Sequence, residues 1–406
     1  MKNPLKNIGP GTLVAAAFIG PGTVTVCTLA GVKFGFELLW AMALSILATI
    51  VLQEMAARLG LVTGKGLAAN VKEQLPTPLL RVAAIVLIVS AILIGNAAYE
   101  AGNISGGVLG LQTIFKDASL TLGNFELNYL SLLIGLIAFV LLFIGNYKVI
   151  ERSLVTLVII MSLSFLIAAM LTSPDWISVL KGVVTPSLPS ESILMVIALV
   201  GTTVVPYNLF LHASLVQEKW SGAGQLRAAR KDLYVSIILG GLVSMAIIIC
   251  AAGIQQGDVN NAADLAKGLE PLYGSVSKYV LSLGLFAAGI TSAITAPLAA
   301  AYVARDCFGW KKELKSVAFR AVWMFILVLG VVFSSIGFTS IEIIQFAQVA
   351  NGLLLPIIAG FLLWIVTKKA VLGTNRNNTW QTIIGLIIVM ATVALGARSL
   401  YKVFFS

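Results

Sequence analysis

Charge is scarce in this chain. Of 406 residues only 11% are Asp, Glu, Lys or Arg, and there is a single histidine. Soluble proteins carry about 25% charged residues, so helices this apolar could not all face water. Cysteine is nearly as rare. Cys27, Cys250 and Cys307 are scattered in or beside apolar stretches, with no spacing that suggests a disulfide or a metal clip. They read as small buried hydrophobes. No polar stretch is long enough to make a soluble domain. No nucleophile and base occur at a credible spacing, so an enzyme is not expected and no cofactor is implied. The net charge of +10 could suit nucleic acid. The basic residues are instead spread over short segments between apolar runs, where they act as topology signals and leave no nucleic-acid partner to expect.

What the chain has is apolar length: 59% of its residues are hydrophobic. Runs of about 20 apolar residues, each able to cross ~30 Å of hydrocarbon, recur from end to end. Eleven spans are expected, near 10–33, 36–60, 79–111, 128–146, 149–172, 190–218, 232–256, 272–305, 316–337, 340–367 and 379–403. The first runs past signal-peptide length and holds Pro21 between two glycines, so it reads as a retained helix. Turn signals agree with this division. Pro76 and Pro78 precede the third span, Pro174 follows the fifth, Pro186 and Pro189 precede the sixth, and an asparagine-rich stretch at 375–378 precedes the eleventh. Segments 112–127 and 257–271 read as solvated external loops. With the N-terminus in the cytoplasm, 20 of the 27 Lys and Arg fall inside and seven outside. That bias predicts a multi-pass protein of the cell's inner (plasma) membrane, N-terminus inside and C-terminus outside.

Two spans are interrupted near their middles. Span one holds Gly20-Pro21-Gly22-Thr23, and span six holds Val204-Val205-Pro206-Tyr207-Asn208. Proline removes a backbone donor and clashes with the preceding turn. At membrane depth the freed peptide groups must be satisfied by protein or by a watery cavity. The breaks lie five spans apart. An odd offset reverses the direction of crossing, so they occupy equivalent places in two inverted halves. That pattern belongs to transporters whose site lies at the repeat interface. The half-helix ends supply partly positive amides and partly negative carbonyls, able to hold a cation, an anion or a zwitterion.

The same motifs resemble the NRAMP family, proton-coupled importers of divalent metals with the leucine-transporter fold, over nearly the whole chain. Gly9-Pro10-Gly11 and the Gly20-Pro21-Gly22-Thr23 break resemble that family's first helix. The stretch from Gln53 to Lys65 resembles its second helix and the following loop. Gly201 to His212 resembles the sixth, Ala288 to Thr295 the eighth, and Gln345 to Val349 leading to Leu354-Leu355-Pro356 the tenth. The resemblance implies an all-α membrane protein of 11 transmembrane helices with a leucine-transporter-like inverted repeat (helices 1–5 and 6–10) and broken helices 1 and 6. Repeat one would cover about 9–172, repeat two about 190–367, and an extra helix about 379–403, as one transmembrane domain.

The departures fall on the chemistry. The family's first break reads Asp-Pro-Gly-Asn; here Gly20 replaces the Asp and Thr23 the Asn. Its second reads Met-Pro-His-Asn; here Val205 and Tyr207 replace the thioether and the imidazole. On helix three an acidic pair becomes Glu100 and Asn103. Mn²⁺ and Fe²⁺ gain from anionic oxygen plus soft sulfur, and stripping water from a dication into neutral dipoles is very unfavourable. A tightly ligated ion is therefore not expected. The substrate site is expected at Gly20, Gly22, Thr23, Thr202, Val205, Tyr207, Asn208 and Gln348. Thr23 and Asn208 are its weak metal ligands. Glu100, Asn103 and His212 are the candidates for a proton or ion pathway, with a proton as candidate coupling ion. Asn351, three residues after Gln348, shares its helix face. Buried charges in a membrane are functional candidates by default. Structural pairing is the competing reading for Glu100, and a gate or ion pair for Glu54. Arg305 and Asp306 are expected to pair on a solvated face. The expected function is secondary transport of a divalent ion bound partly hydrated, Mg²⁺ or Mn²⁺. The alternative is a small organic solute, an amino acid or carboxylate, held by the glycine-rich break.

Overall fold

The computed structural model describes residues 19–115, 119–122, 125–145, 148–254, 259–310, 315–335 and 338–405. Gly9, Pro10, Gly11 and the first half of span one lie outside the described residues. The long helices are α1 (Pro21–Phe34), α2 (Leu39–Thr63), α3 (Pro78–Leu111), α4 (Tyr129–Ile144), α5 (Lys148–Leu171), α6 (Ile193–Thr203), α7 (Pro206–Lys219), α8 (Leu226–Ala252), α9 (Ser277–Phe308), α10 (Val317–Ser335), α11 (Ser340–Val366) and α12 (Thr379–Phe405). Among the described residues, nine helical segments are long and apolar enough to cross a membrane, α6 and α7 together forming one of them. α4, at 16 residues, is a shorter apolar helix. α1 is the described part of span one.

Local chemistry explains the starts. Pro78 opens α3, where its missing N–H is no loss, and the Thr77 hydroxyl accepts from Leu80 N. Thr339 and Glu342 form a reciprocal capping box at the start of α11. The break of span six is plain. Val204 (φ −96°, ψ 73°) and Val205 (φ −76°, ψ 119°) leave the helix, and Pro206 begins α7. Proline pushes its predecessor toward extended backbone. Gly20 is likewise extended (φ −98°, ψ −178°), and Pro21 opens α1.

Helix α3 runs through the centre, packed along α9, α10 and α11. Its small residues allow this. A Cβ at Gly106 would collide with the Pro21 ring, one at Gly110 would lie 2.5 Å from Ser282 O, and one at Gly102 would lie 2.9 Å from the Ala347 methyl. Three different helices use that face, in keeping with close packing by small residues. The outer faces leave Leu136, Phe325 and Ile387 exposed for lipid.

Three expectations need correction. The 112–127 segment is not wholly a loop, because Ser119–Leu122 and Phe125–Asn128 pair as an antiparallel hairpin. The 257–271 segment is not simply solvated. Asn261 caps the short helix Ala262–Ala266, and Leu265 and Leu269 are buried. Asp258 lies outside the described residues. Arg305 and Asp306 do pair, at 2.8 Å, but their side chains are only 12% and 10% exposed. Asp306 is enclosed by Gly66 and by Ser214 of α7, whose hydroxyl lies 3.4 Å from its Oδ2.

Candidate functional site

The two breaks meet at α11. The Gln348 amide lies against the bare Cα of Gly22, and the Gln348 carbonyl lies against Gly201 on α6; a Cβ at either glycine would collide with it. One residue of α11 thus touches both interrupted spans. Gly22 and Thr23 lie in the first turn of α1, at its amide end. The carbonyl end of α6 and the amide end of α7 face the gap at Val204 and Val205.

The side chains here are neutral and buried. Thr23, Thr202, Val205, Tyr207, Asn208, Gln348 and Asn351 are all at most 3% exposed. Thr202 donates to Leu199 O at 2.9 Å within its own helix. Tyr207 meets Tyr99 of α3 edge to face, ring centroids 5.2 Å apart. Asn208 Oδ1 and Gln348 Oε1 are buried acceptors with no hydrogen-bond partner, and Asn351 Nδ2 is a buried donor with none. Orphaned buried polar atoms are rare in folded proteins and call for an explanation. Among the described residues no cluster of three His, Cys, Asp or Glu could hold a metal.

Glu100 and Asn103 lie on α3, next to and one turn after Tyr99. Asn103 Nδ2 donates to Glu100 Oε2 at 3.3 Å, while Glu100 Oε1 has no partner. The Glu100 side chain packs against Gly330 of α10, whereas Gly106 on α3 meets Pro21. No ion pair reaches Glu100 among the described residues, so structural pairing with a Lys or Arg does not occur there. His212 on α7 is held at Nδ1 by Gln53 Oε1 of α2, 2.9 Å away.

Sequence reasoning missed most of one cluster. Glu54 accepts from Arg58 at 3.1 Å on one oxygen and from Arg230 of α8 at 2.6 Å on the other. Arg58 also donates to Asn375 O and Asn377 Oδ1, both at 2.6 Å. The pair one turn apart on α2 is visible in sequence, but nothing local points to its distant partners. Tyr99, which seats Tyr207, was missed for the same reason.

The family model described as natural resistance-associated macrophage protein-like (Nramp) matches residues 11–402. A divalent metal cation transporter of Verminephrobacter eiseniae is 27% identical over 410 residues, covering 98% of this chain and 89% of the relative. The manganese transporter of Eremococcus coleocola, solved with an aromatic bis-isothiourea substituted compound, superposes with a TM-score of 0.75 at 21% identity, over 98% of this chain and 86% of that one. MhsT in complex with L-phenylalanine superposes at 0.59 with 16% identity, over 95% and 98%. These likenesses establish the leucine-transporter-like fold.

Proposed function

Because the chain belongs to the Nramp family, we propose that it is a secondary transporter carrying a divalent metal ion, Mg²⁺ or Mn²⁺, past the breaks of spans one and six with part of the ion's water shell retained. The observation that carries this reading is the pair of orphaned carbonyl oxygens, Asn208 Oδ1 and Gln348 Oε1, beside the breaks. Water on a cation is a strong donor, and neutral amide oxygens are the acceptors it needs. Mg²⁺ in particular dehydrates reluctantly and usually keeps several waters. Thr23 and Asn208 are the nearest candidates for direct ligation. The relatives' names support the class of cargo. The absence of a carboxylate at the break argues for the retained shell.

The loop charges support the rest of the reading, with the N-terminus in the cytoplasm and the C-terminus outside, in the inner membrane. Repeats at about 9–172 and 190–367 are followed by an extra helix. A proton is the candidate coupling ion. Glu100 with Asn103 is the pair to carry it, and His212, held by Gln53, is a buried titratable group of α7.

A neutral break also favours a second reading. The amide end of α1 at Gly22 suits a carboxylate, so an amino acid or small organic acid would fit the same fold. Uptake separates the two. In liposomes holding a metal-sensitive dye, external Mn²⁺ or Mg²⁺ should change the signal, and Thr23→Ala or Asn208→Ala should largely abolish the change. No metal flux, together with thermal stabilisation by an amino acid, would replace the metal reading with the solute reading.

A further inference from the structure

Leu75, Leu87, Ile357, Gly360, Phe361 and Trp364 line an apolar groove of about 440 Å³ between the beginning of α3 and the end of α11. Gly360 faces open space, since a Cβ there would meet nothing within 4 Å. A cation sits beside each of two lining residues, Leu75 and Trp364. Arg81 donates through Nε to Leu75 O at 2.8 Å, which leaves its terminal nitrogens pointing away from that bond. Lys368 Nζ lies 4.9 Å from the centre of the Trp364 ring. Neither cation is in an ion pair among the described residues. Glu73, the carboxylate nearest Leu75 in sequence, is already paired with Lys65.

The dimensions decide what fits. Ile357 and Val366, the end of α11 just before Lys368, are nine residues apart, about 14 Å along a helix. Half of a ~30 Å hydrocarbon core is about 15 Å. The groove is therefore one leaflet deep, with its cations at headgroup level. We propose that it binds a single anionic phospholipid, an acyl chain along Ile357, Gly360 and Leu87 and the phosphate between Arg81 and Lys368. Basic pockets between membrane helices attract anionic headgroups, and an aromatic beneath a lysine adds an anchor at the interface. A second copy of the chain fits poorly. A two-fold contact would set Arg81 and Lys368 against their own likenesses.

The test is thermal unfolding of delipidated full-length protein in detergent, with dioleoylphosphatidylglycerol, dioleoylphosphatidylcholine or sodium phosphate added. Phosphatidylglycerol should raise the melting temperature more than phosphatidylcholine does. The Arg81→Gln, Lys368→Gln double variant should lose most of that difference while melting like the wild type in phosphatidylcholine. Gly360→Trp, which fills the groove and keeps both cations, should lose it too. An equal rise with both lipids overturns the proposal. So does an undiminished difference in either variant, or a rise with phosphate alone that matches the lipid.

Discussion

At the breaks of spans one and six the buried polar groups are neutral, and several have no partner. At the Glu54 cluster the buried groups are charged, and both carboxylate oxygens and both terminal nitrogens of Arg58 are engaged. The protein holds this charge where ion pairs and hydrogen bonds to every group but Arg58 Nε lock it, here joining α2, α8 and the segment before α12. At the proposed cargo site it keeps neutral groups whose lack of a partner is bearable. An unsatisfied neutral group costs about 1–3 kcal/mol, while an unpaired buried charge costs far more. One region reads as a clamp, the other as a seat left open.

The largest expected effect tests the clamp. Glu54→Gln strands Arg58, which is 2% exposed, and should destabilise the protein by on the order of 3–5 kcal/mol, read by chemical unfolding in detergent. Next comes the packing of the seat. Gly201→Ala drives a methyl into the Gln348 backbone and should cost about 1–3 kcal/mol and most of the transport. Gly360→Ala, facing open space, should be neutral or mildly stabilising. If the two variants melt alike, the close approach at the breaks is not what holds them together.

A third variant blurs the two regions on purpose. Gly20 has ordinary extended backbone (φ −98°), so Gly20→Asp needs no strain and places a carboxylate at the neutral break. Mn²⁺ should bind at least about tenfold more tightly, or ~1.4 kcal/mol, by isothermal titration. The smallest effect is Arg230→Gln. That side chain is 36% exposed, and its loss should cost no more than about 1 kcal/mol. A loss as large as that of Glu54→Gln would mean that Arg230, not Arg58, anchors the cluster.

The spans were legible because bilayer crossing demands length, and their ends fall within six residues of expectation wherever both ends are described. The break of span six was legible because proline acts locally, on Val204 and Val205. The hairpin at Ser119–Asn128 was read as loop, although the alternation in Ser119-Leu120-Thr121-Leu122 carried a weak strand signal. Arg230 lies 176 residues from its partner Glu54, and Asn377 lies 319 residues from its partner Arg58; no local pattern encodes such distances. The direction of Glu100 was hidden for the same reason. Its flank of α3 is set by Gly330 on another helix.

The central claim concerns water on the ion, and electron–nuclear double resonance on Mn²⁺-loaded protein reads it directly. The account predicts strongly coupled protons that vanish after exchange into D₂O, marking water molecules still bound to manganese at the breaks. A bound Mn²⁺ with no exchangeable water protons in its first coordination sphere would contradict it.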